Sequence, residues 1–171
     1  MARSDGFQRM VNPILDVMQT MPSFVYLIPV VMLLGIGKVP GLIAVVIYAI
    51  PPMIRLTNLG IRLVDKDVLE AADAFGSSSW QRLRNVQIPL ALPTIMAGIN
   101  QTIMMALAMV VIASMIGVQG LGQPVLRSVN GQFFSLGLFN GLAIVGIAII
   151  FDRVSQAYGK RLQKHQEVVH G

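Results

Sequence analysis

Residues 92–116 read LPTIMAGINQTIMMALAMVVIASMI, a run of 25 residues without a charged side chain. A helix needs about 20 such residues to cross the hydrocarbon core of a bilayer. Shorter apolar runs occupy residues 21–37, 39–54 and 134–151. Lipid offers the backbone no hydrogen-bond partners, so each run is predicted to be helical. The sequence therefore predicts an all-α, polytopic transmembrane helical bundle at residues 21–152.

The composition excludes a water-soluble domain. Only 12% of the 171 residues are charged and 54% are hydrophobic, whereas an average soluble domain carries about 25% charged residues. The net charge of +5 is not gathered into one run, so nucleic-acid binding is not expected. The chain has no cysteine, and its two histidines, His165 and His170, lie in the C-terminal tail. No metal site is therefore predicted.

The basic residues predict an orientation. Lysine and arginine accumulate on the cytoplasmic side of membrane proteins. If the long loop between the second and third runs is cytoplasmic, only Lys38 and Arg127 fall on the other side. The cytoplasmic side would then hold Arg3, Arg9, Arg55, Arg62, Lys66, Arg82, Arg84, Arg153, Lys160, Arg161 and Lys164. The N-terminal segment 1–20, the long loop and the tail 153–171 are thus predicted to be cytoplasmic.

The loop at residues 65–89 is too long for a simple turn and too polar for a span. Asp67 is a candidate N-cap with Glu70 three residues later, and Gly76 suits a left-handed helix end. Ser78 and Gln81 form a second capping-box pattern. Two short amphipathic helices are predicted, and they could serve either as a docking element or as a connector resting on lipid headgroups.

The spacing in this loop resembles a known signature. Glu70-Ala71-Ala72 is followed by three residues, Gly76, nine residues and Val86-Gln87-Ile88-Pro89. This resembles the EAA motif of ABC importer permeases, E-A-A, three residues, G, nine residues, I-x-L-P, with Val86 and Ile88 as conservative departures. The resemblance implies a coupling hairpin that inserts into a groove of the ATP-hydrolysing subunit. It implies that Gly76 lets the two helices approach closely. The implied coupling residues are Glu70, Ala71, Ala72, Gly76 and Pro89.

Longer stretches extend the resemblance over roughly Asn12 to Tyr158. NPILDVMQTMPSFVYLIPVVMLLGIGKVPG, IPLALPTIMAGINQTIMMALAMVVIASMIG and GLGQPVLR are similar to the glycine betaine/proline betaine permeases of quaternary-amine importers. The resemblance implies a type I ABC importer permease fold and osmoprotectant uptake across the bacterial inner membrane. It also implies a permease homodimer, a cytoplasmic ATPase and a periplasmic substrate-binding protein. Family members carry further N-terminal spans, so an N-terminally truncated permease is expected.

Polar residues inside the predicted spans are candidates for a translocation path. Asn100, Gln101 and Thr102 lie in the third run, where they could line the path or hydrogen-bond between helices. No acidic residue lies within the predicted spans, with Asp152 at the inner end of the fourth. Because proton- or sodium-coupled carriers commonly use buried carboxylates, a secondary carrier is disfavoured.

No catalytic residue is predicted in this chain. The sequence GIGKV at residues 35–39 lacks the hydroxyl residue and the glycine spacing of a phosphate-binding loop. ATP and magnesium are therefore expected on the partner ATPase, with no cofactor in this chain. The cargo stays open among betaines, choline, carnitine and amino acids. Two alternatives belong to a different functional class. One is a carrier or channel that works alone, and the other is a membrane scaffold that transports nothing.

Overall fold

The structure is a computed structural model that describes residues 5–170, with side chains described through Arg161. Arg3, one of the residues predicted to be cytoplasmic, lies outside this range. The described part is helical and contains no strand, which confirms the predicted fold class. A π-helical turn at Leu83–Gln87 joins the fifth helix to the sixth. The helices are α1 Asp5–Thr20, α2 Ser23–Leu34, α3 Lys38–Arg62, α4 Lys66–Ala74, α5 Ser79–Arg82, α6 Ile88–Ala108, α7 Val110–Ser114, α8 Gly122–Gly131 and α9 Phe134–His170.

Three helical segments of the described part are long and apolar enough to cross a membrane. They are α3 with 25 residues, the continuous run Ser79–Ser114 with 36, and α9 over Phe134–Arg161 with 28. The first predicted span, residues 21–37, contains only the 12-residue helix α2. This helix ends early because Gly35 and Gly37 have φ angles of 75° and 154°, which L-residues avoid. α1 and α2 are bent by 99° and would add a fourth span only as a pair.

The second and fourth runs form longer helices than their apolar residues indicate. α3 continues to Arg62 rather than ending near Ile54, although Pro51 and Pro52 lie inside it. Both prolines are fully buried, so packing against neighbouring helices offsets the lost backbone hydrogen bonds. α9 passes Phe151 without a break. As a result, Asp152 lies within a continuous helix rather than at the end of one.

The glycine-rich segment after the third run contains the helix α8. Gly122 at its start packs tightly on α7, because a Cβ there would lie 2.5 Å from the Val110 carbonyl oxygen. At the other end, Gln132 adopts a left-handed conformation with φ 56°. Packing against the neighbouring helices α7 and α9 therefore accompanies the helical course of this segment.

The centre of the bundle is the contact between α3 and α6, where small residues let the backbones approach. A Cβ on Gly60 would lie 2.9 Å from Thr94 Cβ, and one on Gly98 would lie 3.1 Å from Leu56 Cβ. A small core of Leu27, Val30, Ala44 and Met109 lies beside this contact. Within the chain, none of the apolar window of α9 and 11% of that of Ser79–Ser114 is buried. Lipid or other subunits must therefore cover most of the apolar surface.

Candidate functional site

The hairpin formed by α4 and α5, residues 65–82, begins at Asp65. The Asp65 side chain accepts a hydrogen bond from the backbone N–H of Asp67 at 3.0 Å, which makes Asp65 the N-cap. The predicted capping box of Asp67 and Glu70 is therefore wrong, because the helix starts two residues earlier than its sequence pattern indicates. Glu70 lies within the helix, exposed, and makes no side-chain hydrogen bond or ion pair with the described residues.

The end of α4 confirms the predicted role of Gly76 as a left-handed residue. Its φ is 76°. The N–H of Gly76 donates to the Asp73 carbonyl at 2.9 Å, and the N–H of Ser77 donates to the Ala72 carbonyl at 3.1 Å. This pair of bonds is the Schellman motif. A Cβ on Gly76 would meet nothing within 4 Å, so backbone conformation rather than close helix approach requires glycine here.

The start of α5 has the predicted second capping box. Ser78 Oγ accepts from the Gln81 N–H at 3.3 Å, and Gln81 Oε1 accepts from the Ser78 N–H at 2.8 Å. An ion pair between Arg82 and Asp73 joins the two helices of the hairpin. Local caps and this pair give the hairpin a defined shape with little core of its own.

The hairpin exposes large apolar side chains at its tip. Phe75 is 90% exposed and Trp80 is 65% exposed. Ala71 is exposed beside them, whereas Ala72 is half-buried. An exposed aromatic pair on a rigid corner is typical of a protein-binding surface. We call Phe75, Gly76 and Trp80 the hairpin tip.

The hairpin is joined to the membrane span without a loop, which the sequence did not indicate. The Ile88 N–H donates to the Leu83 carbonyl, the wider hydrogen bond of a π-helical turn. Pro89 follows directly. It lacks an N–H, and its ring clashes with the carbonyl four residues earlier, so the preceding turn widens. Residues Ser79–Ser114 consequently form one helical rod, with a turn at Met109, that starts in the hairpin and is long and apolar enough to cross a membrane.

The three predicted path residues do not share one face of α6, because successive helical residues are about 100° apart. Asn100 faces α9, where its Nδ2 donates to Asp152 Oδ1 at 2.6 Å. Gln101 is exposed. Thr102 Oγ1 is buried and has no hydrogen-bond partner among the described residues. Asn100 thus makes an inter-helix hydrogen bond, and a path lined by these residues stays a prediction.

Asn100 belongs to a polar cluster that sequence reasoning missed. Ser155 Oγ donates to Asn100 Oδ1 at 2.8 Å, and Gln156 Nε2 donates to Asp152 Oδ1 at 2.8 Å. A cavity of about 340 Å³ between α6 and α9 lies beside the cluster. The spacing of Asp152, Ser155 and Gln156 places them on one helical face, a signal visible only once α9 is known to continue past Phe151.

Comparison with known protein families shows which family the chain belongs to. The family described as "Binding-protein-dependent transport system inner membrane component" matches residues 1–164. The chain belongs to this family.

Several members of the permease family are close in sequence. The glycine betaine/carnitine transport permease protein GbuB of Listeria monocytogenes is 56% identical over 94% of this chain and 57% of its own length. The glycine betaine/proline betaine permease ProW of Escherichia coli is 56% identical over 94% of this chain and 45% of its own. The glycine betaine permease OpuAB of Bacillus subtilis is 53% identical over 91% and 55%. The chain therefore spans about half the length of these relatives.

A solved structure confirms the permease fold. An inward-facing structure of the MetNI methionine ABC transporter matches with a TM-score of 0.71 at 20% sequence identity. The match covers 93% of this chain and 75% of the other. At 20% identity this likeness shows the fold, which is that of an ABC transporter permease. It says nothing about the substrate of this chain.

Proposed function

We propose that this chain is the membrane-spanning permease subunit of an ATP-driven importer for glycine betaine, proline betaine or a related quaternary amine. The observation that carries the proposal is the hairpin tip, an exposed aromatic corner within the EAA-like sequence, set at the end of the rod Ser79–Ser114. The names of relatives at 53–56% identity support the cargo.

The hairpin tip supports docking of a cytoplasmic ATPase. Phe75 and Trp80 expose apolar surface that an ATPase groove would bury, and Glu70 beside them offers an uncommitted carboxylate. Because the rod is continuous, a rigid-body movement of the ATPase would tilt the span without first bending a loop. ATP and magnesium would bind on that partner, and this chain would take no part in hydrolysis.

The distribution of charge supports the orientation in the bacterial inner membrane. Arg82 and Arg84 lie on the hairpin side of the rod, as the positive-inside rule requires for a cytoplasmic hairpin. The opposite side, with α8, would face the periplasm and receive substrate from a binding protein. Both chain ends would then be cytoplasmic, with α1 and α2 together forming the fourth crossing.

The uncovered face of α9 supports a permease homodimer. Gly137 is already occupied within the chain, since a Cβ there would lie 2.5 Å from Ser128 Oγ. Gly141, one turn further, has open space around it. Gly137 and Gly141 form a G-x-x-x-G pair, and of the two only Gly141 is free for close packing against a second copy.

Gln101 is the residue best placed to line a translocation path between two copies. It is exposed within this chain at a depth where polar side chains normally face a bundle interior or water. A second copy or an aqueous path would therefore lie on its side of α6. A Gln101→Leu variant should lower uptake while leaving ATPase binding unchanged.

Reconstitution tests the proposal. The permease, its ATPase and its binding protein are placed in liposomes, and uptake of labelled glycine betaine is followed with ATP or with a non-hydrolysable analogue. ATP-dependent uptake is expected, insensitive to a proton uncoupler. Uptake that needs no ATPase and stops with the uncoupler would support a carrier instead. Competition by carnitine, which the name of GbuB includes, would define the breadth of the cargo.

A further inference from the structure

The inner half of α9 is held to the bundle mainly by α6. At its outer end α9 also packs on α8, where Gly137 meets Ser128. Further in, its close contacts are with α6: the polar cluster at Asn100 and the approach of Gly159 to Met96. The hydrogen bond from Asn100 Nδ2 to Asp152 Oδ1, at 2.6 Å, joins residues 52 positions apart in the chain.

Asp152 lies directly after the apolar residues 134–151 of α9 and is half-buried. Hydrogen bonds to a carboxylate are stronger than those between neutral groups. Asp152 accepts hydrogen bonds from Asn100 on α6 and from Gln156 on its own helix. Ser155 donates to Asn100 in return. The two helices are thus joined through both the donor and the acceptor of one amide, which fixes their relative position more tightly than a single bond.

We propose that Asp152 is a positioning residue that fixes α9 to α6 through Asn100, so that both helices move as one body with the hairpin. This rests on the proposed function, because the movement concerned is the one an ATPase would impose on the hairpin tip. α6 belongs to the rod Ser79–Ser114, so any helix fixed to α6 shares its displacement. On this account the rigid body that responds to ATP includes the last span.

An exchange of the two partners tests the bond. Asn100→Asp alone places two carboxylates in contact and should lower uptake per ATP hydrolysed at least about tenfold, the effect of losing one charge-assisted hydrogen bond. Asp152→Asn alone keeps an acceptor but loses the charge, so a smaller loss of about twofold to fivefold is expected. The double variant restores an amide and a carboxylate with their positions reversed. It should recover most of the uptake per ATP hydrolysed.

Uptake per ATP hydrolysed is the deciding quantity, because loss of folded protein would lower both rates together. Uptake per ATP hydrolysed that is unchanged in Asn100→Asp, with the protein still folded, would overturn the positioning role. So would a double variant that fails as badly as Asn100→Asp, the result expected if Asn100 acted by lining the path.

A disulfide between α6 and α9 tests the shared movement directly. The chain has no cysteine, and a Cβ on Gly159 would lie 3.3 Å from Met96 Cβ, near the usual Cβ separation of about 3.5–4.5 Å in disulfides. The Met96→Cys/Gly159→Cys protein should cross-link on oxidation and keep its uptake rate within about twofold. Single-cysteine variants are the controls. Loss of uptake on oxidation that a reductant reverses would show that the helices must separate, and would overturn the proposal.

Failure of the importer assignment would be recognised separately, as absence of ATP-dependent uptake by the wild-type protein. In that case the bond is tested by cross-linking yield in membranes. In the Met96→Cys/Gly159→Cys protein, adding Asn100→Asp should lower the yield of the disulfide. Adding both Asn100→Asp and Asp152→Asn should restore it. Equal yields in all three backgrounds would overturn the positioning role.

Discussion

At each polar end of the bundle a helix ends at a residue in the left-handed conformation, but the two residues are of different types. At the inner hairpin the residue is Gly76, with φ 76° and open space around it. At the outer segment it is Gln132, with φ 56°. Glycine adopts this conformation without strain, whereas an L-residue with a Cβ does so at a cost of about 1–2 kcal/mol.

The difference shows where each end gets its shape. The inner hairpin is organised by its own neighbours in sequence, through Asp65, Ser78 and the bonds around Gly76. The outer segment is organised by tight packing against the helices on either side of it, with Gly122 against the Val110 carbonyl of α7 and Ser128 beside Gly137 of α9. A locally specified hairpin can keep its shape when a partner docks and leaves, which suits a coupling element.

The largest expected effect is at the inner end. Gly76→Asp forces a left-handed aspartate and adds a charge at the hairpin tip, so uptake and co-purification of the ATPase should both fall by more than about tenfold. Membrane insertion should be unaffected, since no span changes. Ser79→Asp is the matched control, because it adds the same charge at the first residue of α5, where a helix start favours an acid. Normal co-purification of Gly76→Asp would contradict the docking role.

At the outer end, Gly122→Ala should destabilise the fold rather than the assembly. Its Cβ would meet the Val110 carbonyl oxygen at 2.5 Å, and a backbone neighbour cannot move away alone. A loss of about 1–3 kcal/mol in the free energy of unfolding in detergent is expected. Gly146→Ala, where a Cβ meets nothing within 4 Å, is the control and should be neutral or slightly stabilising. Equal stability of the two variants would refute the tight packing of α8 on α7.

The smallest expected effect is a gain in stability at Gln132. Gln132→Gly removes the strain of a left-handed L-residue but increases the freedom of the unfolded chain, so a net stabilisation of about 0.5–1 kcal/mol is expected. Gln119→Gly, at a position without positive φ, should give no gain. Thermal unfolding of both variants in the same detergent decides between them. A gain at Gln119 as large as that at Gln132 would remove the contrast between the two ends.

The sequence predicted what depends on local chemistry. Apolar runs indicated the helical class, and the glycine and serine signals gave the Gly76 turn and the Ser78 cap. It misplaced the first cap, because Asp65 and Asp67 are both good N-caps and only the backbone decides between them. It missed α8 and the Asp152 cluster. α8 depends on packing against α7 and α9, and the Asp152 cluster joins residues 52 positions apart in the chain. The uninterrupted course of α9 past Phe151 is not encoded in its apolar residues.

The central claim is that the hairpin tip meets an ATPase on the inner side of the membrane. Trp80 is 65% exposed and the chain lacks cysteine, so Trp80→Cys offers one reactive thiol for a membrane-impermeant maleimide. The account predicts labelling in inside-out vesicles, protection when the ATPase is bound, and no labelling in intact spheroplasts. Labelling of Trp80→Cys from outside the cell would contradict it.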